Sequence, residues 1–87
     1  MAETLIKGLS HVAVAVRSLQ DIEKWLGFFS VEKVTKYRSE DQKVNAVVVH
    51  LEGFDLEFLE PIGAKSSISS FLDKNPRGGL HHICFYV

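Results

Sequence analysis

Two stretches of eight residues in this chain can be laid one on the other, and nothing else in the sequence constrains its fold as much. Residues 9–16 read Leu-Ser-His-Val-Ala-Val-Ala-Val and residues 80–87 read Leu-His-His-Ile-Cys-Phe-Tyr-Val, at a constant offset of 71. Bulky apolar residues fall at the same alternate places in both: Val12, Val14 and Val16, then Ile83, Phe85 and Val87. A histidine falls at the same place on the opposite face, His11 in the first stretch and His82 in the second. A period of two in β-branched and aromatic residues marks a strand with one greasy face. Two strands of one design this far apart imply an internal duplication whose second copy is only begun.

The text between them supplies the rest of one module. Ser18 with Asp21 three residues on resembles a capping box, and Leu19, Ile22, Trp25, Leu26 and Phe29 recur at helical spacing, with Gly27 near the expected end. Trp25, Phe28 and Phe29 are expected as core beneath this helix. Val31 to Arg38 alternates weakly, Val44 to Leu51 strongly, and Phe54 to Leu59 forms a further strand that Pro61 is expected to stop. Glu40-Asp41 reads as a solvated turn. A short helix is expected after Ser66-Ser67, on the stripe Ile68, Phe71, Leu72, with an exit at Pro76, Gly78 and Gly79. The fold class is therefore α+β: a single, incomplete domain over 1–87, with a βαβββ module at 9–60, a connector at 61–79 and the first strand of a second module at 80–87.

At 87 residues, a chain buries only about 60–65% of its unfolded surface, so association with a second copy is expected. Ten Lys and Arg against eleven Asp and Glu leave a net charge of −1, with no basic field to draw in nucleic acid or an anionic membrane. Cys84 is the only cysteine, the opening residues lack a signal-peptide pattern, and no stretch is apolar enough to span a bilayer. A cytoplasmic protein is expected.

Leu9-Ser-His-Val-Ala-Val-Ala-Val16, Leu56-Glu-Phe-Leu-Glu-Pro61, the connector from Ser66 to Pro76 and Gly79-Leu-His-His-Ile-Cys-Phe-Tyr-Val87 together resemble the methylmalonyl-CoA epimerases. These belong to the vicinal-oxygen-chelate superfamily, with glyoxalase I, bleomycin resistance proteins and dioxygenases. The resemblance implies paired βαβββ modules around one divalent metal, with His11, Glu57 and His82 as three of its ligands. The family's fourth ligand, a glutamate on the last strand of the second module, has no counterpart in this sequence. A glutamate proposed as catalytic base in some epimerases falls at Ala46.

Residue chemistry agrees with those three positions. His11, Glu57 and His82 each stand opposite the larger apolar residues of their strands (Val12 and Val14, Leu56 and Phe58, Ile83 and Phe85), so side chains from three strands can converge. Two imidazoles and a carboxylate suit cobalt, nickel, manganese or zinc better than calcium. Ala13, Ala15 and Cys84 are expected to leave room for a ligand. Taken alone, each of these three would read as a hydrogen-bonded or solvent-facing side chain; the repeat and the resemblance favour metal binding. His81 is expected on the other face as a structural residue, His50 at the surface, and Cys84 as a small filler. The leading expectation is a metal-dependent epimerase that interconverts the 2R and 2S epimers of an acyl-CoA through a metal-stabilised enolate, with Glu57 as one proton-transfer group. Two others compete: a glyoxalase I-like lyase on the same scaffold, and a non-catalytic truncated module that dimerises or binds a metal or small ligand. In a two-fold pair of chains, His11 and Glu57 of each could complete a four-ligand site.

Overall fold

The computed structural model describes residues 5–28 and 33–87. Five strands and two helices follow in the order β1 (Gly8–Ala15), α1 (Leu19–Phe28), β2 (Val34–Ser39), β3 (Val44–Leu51), β4 (Phe54–Pro61), α2 (Ser67–Lys74) and β5 (Gly79–Tyr86). They form one sheet in the spatial order β2-β3-β4-β1-β5. The β1–β4 pair is parallel, because α1 carries the chain across the sheet before three antiparallel strands return it to β1's side. Strand β5 closes antiparallel on the free side of β1.

Alternation along the strands gives the sheet two unlike faces. On one, Leu19 and Leu26 of α1 pack over Val47, Val49 and Phe58, with Val14, Val16, Ile22, Val34 and Leu56 around them. On the other, Ile68 and Leu72 of α2 pack over Ala13, Ala15, Val44, Ala46 and Leu59, flanked by Phe71. The small residues of β1 thus make room for α2. Ala13 and Ala15 are fully buried, so the space expected beside them for a ligand is filled by helix.

Caps and turns are partly local. Ser66 accepts from the Ile68 N–H to start α2, as a serine at an N-cap does. The first N–H of α1, on Leu19, is instead taken by Glu60 Oε2 of β4 at 2.7 Å, so a long-range carboxylate serves the helix start that Ser18 and Asp21 suggested. Helix α1 runs through Gly27 to Phe28, one residue past the expected stop, and β4 includes Pro61. Trp25 is 57% exposed and Phe28 81% exposed, against the expectation of core. The helix rests on Leu19, Ile22 and Leu26, and Trp25, at its flank, lines an open groove of about 440 Å³ with Val14, Leu56 and Phe58. Phe29 and residues 31–32 lie outside the described residues. None of the described helices is long and apolar enough to cross a membrane.

Candidate functional site

The strand register explains how three distant residues meet. Ala13 of β1 is paired with Glu57 of β4 on one side and His82 of β5 on the other, so these two flank its methyl group on the α2 face. His11, two residues earlier on the same face, lies in the next row, between Asp55 and Cys84. Its Nε2 lies 3.2 Å from His82 Nε2 and 3.5 Å from Glu57 Oε2. The imidazoles of His11 and His82 meet edge to face, with centroids 5.3 Å apart. Two of the donor separations among these side chains are thus close to the ~3.0–3.4 Å that metal bonds of about 2.1 Å impose on adjacent ligands. Among the described residues, no group of three or more His, Cys, Asp or Glu is already gathered around a common point able to hold an ion. His11 is instead the hub of two pairwise contacts.

The contacts continue at both ends. Glu57 Oε1 accepts a hydrogen bond from the Tyr37 hydroxyl at 2.7 Å. His82 Nδ1 shares a hydrogen bond with His81 Nδ1 at 2.8 Å, and the His81 ring stands edge-on to Phe71 of α2. His81 therefore shares the α2 face with His82, not the opposite face that alternation assigns it. The β1–β5 register skips from His82 opposite Ala13 to Leu80 opposite Val14, and this irregularity turns His81 back to the same side. His81 and His82 both line a cleft of about 290 Å³ beside Val44, Leu59 and Ile68.

Burial holds the His82 imidazole below its ordinary pKa of 6.5; the neighbouring positive charges of His81 and His11 add to this, and Glu57 opposes it. The neutral ring, with a free lone pair, is the form that binds metals. The Tyr37 phenol is pushed up to about 12, first by partial burial and then by the hydrogen bond and negative charge of Glu57, so it remains a donor at neutral pH.

His50 is exposed, as expected, yet it is tied on both sides: Nδ1 lies 3.0 Å from Asp55 Oδ1 and Nε2 2.7 Å from Thr35 Oγ1. Sequence reasoning missed Tyr37, the turn of His81 and this cross-strand chain. Tyr37 could have been found only by aligning β2, β3 and β4 together, which places it on the same face as Glu57, opposite Ala46, while Glu57 is opposite Val48.

A single mixed sheet that crosses over through α1, with two histidines and a glutamate drawn together on one face, defines a βαβββ module with a polar site. Residues 10–87 match the Glyoxalase/Bleomycin resistance protein/Dioxygenase superfamily, and the chain belongs to it. The chain is 40% identical over 80 residues to the mitochondrial methylmalonyl-CoA epimerase of Dictyostelium discoideum, covering 91% of this chain and 48% of that protein. It is 36% identical over 84 residues to the ethylmalonyl-CoA/methylmalonyl-CoA epimerase of Cereibacter sphaeroides, covering 95% and 63%. Among solved structures, methylmalonyl-CoA epimerase from Mycobacterium tuberculosis superposes with a TM-score of 0.81 at 25% identity, over 98% of this chain and 58% of that one. A variant of the Streptomyces coelicolor enzyme in complex with 2-nitronate-propionyl-CoA gives 0.80 at 25% identity, over 92% and 60%. The chain spans about half to under two thirds of the length of these relatives.

Proposed function

We propose that this chain carries the metal-binding half of an epimerase site that interconverts the 2R and 2S epimers of an acyl-CoA of the methylmalonyl-CoA type. The observation that carries this reading is the meeting of His11, Glu57 and His82 on one face, in a chain 40% identical to such an enzyme. His11 Nε2, His82 Nε2 and Glu57 Oε2 are the donors that would hold a divalent cation such as cobalt, nickel, manganese or zinc. A cation bound there supplies Lewis-acid stabilisation for the charge that develops on a thioester oxygen as the α-proton leaves. Both oxygens of Glu57 are engaged, one by Tyr37 and one near His11, which favours a ligand's role for this carboxylate over that of a free base.

A second copy of the chain is the proposed partner. Strand β5 has one neighbour in the sheet and leaves Leu80, Ile83, Phe85 and Tyr86 about half exposed, an edge that invites pairing. The free thiol of Cys84 and the net charge of −1 support work in the reducing cytoplasm, without nucleic acid or membrane.

The test is epimerisation of methylmalonyl-CoA by the chain loaded with cobalt, followed by uptake of deuterium from solvent at the α-carbon. Turnover that disappears on chelation and in His11→Ala is the expected result. A chain that exchanges equally fast without metal, or that turns over only the glutathione–methylglyoxal hemithioacetal, overturns the reading. Sedimentation of the same sample tests the partner, and a monomer at every concentration removes it.

A further inference from the structure

Tyr37 and Glu57 do not sit on neighbouring strands. Tyr37 is on β2 and Glu57 on β4, with β3 between them. Strands lie about 4.8 Å apart, so two strand spacings, roughly 10 Å, separate the two backbones. The hydroxyl nevertheless lies 2.7 Å from Glu57 Oε1, which requires the phenol to lie across β3. The residue of β3 directly opposite Tyr37 is Ala46, 1% exposed, whereas Glu57 is opposite Val48, so the phenol crosses β3 on the diagonal between Ala46 and Val48. The Ala46 methyl group leaves the start of that diagonal open beside the bulkier Val48, and a longer side chain at 46 would crowd the ring, since directly opposed side chains are only about 5 Å apart at Cβ.

We infer that Tyr37, admitted by Ala46, is a positioning residue that fixes how Glu57 is presented to a metal. This rests on the reading of Glu57 as a ligand. The phenol occupies Oε1, and Oε2 alone is left facing His11 Nε2. A carboxylate held in this way offers one oxygen at a set angle, as partners behind metal ligands do. Single-oxygen donation beside two imidazoles selects small transition metals with bonds near 2.1 Å, and disfavours calcium, which takes many oxygens and bidentate carboxylates. Ala46 thus acquires a function that comes from being small.

The experiment is a cobalt(II) titration of the full chain, read by calorimetry and by the visible absorption of the bound ion, with unfolding curves as a control. Tyr37→Phe keeps the ring and loses only the hydroxyl. The expected result is a urea midpoint lowered only slightly at neutral pH, as the loss of one exposed hydroxyl allows, a loss of about 10- to 100-fold in cobalt affinity, a shifted visible band, and calcium that competes better than in the parent chain. Ala46→Val is expected to weaken cobalt in the same way while every donor stays in place, and to add nothing further in the Tyr37→Phe background. Wild-type affinity and spectrum in Tyr37→Phe would overturn the inference and leave the ligand reading standing. A folded parent chain that takes up no cobalt at all overturns the ligand reading itself, and the inference with it.

Discussion

Strands β1 and β5 carry almost the same pattern of side chains, and the fold treats them differently. Strand β1 lies between β4 and β5, whereas β5 touches only β1. Ala13 and Ala15 of β1 are fully buried under α2, while the matching residues of β5, Cys84 and Tyr86, are half-buried and 59% exposed respectively. The regularity of β5 also breaks at His81, which turns to the site face beside its neighbour. Alternation thus decides which side of a sheet a residue joins, and the number of neighbouring strands and helices decides how deeply it is buried.

The comparison is broken most directly by making one substitution at matched places. Ala13→Leu pushes a larger side chain into the space that Ile68 and Leu72 fill, and the expected cost is about 3 kcal/mol, the upper end of the overpacking range. Cys84→Leu, at the equivalent place in half-buried β5, is expected to stay within about 0.5 kcal/mol. Urea unfolding of the two variants measures the difference, and equal costs would mean that β5 is as enclosed as β1.

The join between the two strands is the next place to test. Gly78 has φ +80°, and a Cβ there would lie 2.5 Å from the Ala15 carbonyl oxygen at the end of β1. Gly78→Ala is expected to cost about 2 kcal/mol from the left-handed backbone alone, with a further loss as β5 is pushed off β1. A variant as stable as the parent would show that β5 is only loosely docked.

The smallest expected effect comes from pH. The folded-state pKa of His82 lies below its ordinary value of 6.5, so its stabilising contribution is present above that value and is lost as pH falls through the folded pKa. Tyr37 works in the opposite sense: raised from 10.0 to about 12, it contributes below about 10 and loses that contribution between about 10 and about 12. Its ring is 41% exposed, which keeps the alkaline effect small. His82→Gln is expected to flatten the acid side of the stability profile and Tyr37→Phe the alkaline side. A profile unchanged by either variant would mean that these groups titrate alike in the folded and unfolded chain.

Much of the architecture was legible because it is local. The Val12/Val14/Val16 alternation, the Ser66 cap and the stripe of Ile68, Phe71 and Leu72 each depend on residues a few positions apart, and each yields the element expected of it. Errors arose where a distant partner intervened. Trp25 fits a helical stripe, yet which part of that stripe faces the sheet depends on how α1 lies across β3 and β4. His81 fits a strict alternation that the pairing of β5 with β1 interrupts. Tyr37 bears no sequence relation to Glu57, because the bond between them crosses a third strand.

Side-chain type and period by themselves determined that this chain is α+β, with strands and two helices in the expected order, and that His11, Glu57 and His82 occupy faces turned away from the bulky apolar residues of their strands. Only the tertiary structure decided that these three faces are one face, that Ala13 separates Glu57 from His82, and that Tyr37 reaches across β3 to Glu57. The reason is physical: periodicity is a property of neighbours along the chain, whereas strand order and register are fixed by the burial of whole faces against α1 and α2, which no single stretch of sequence encodes.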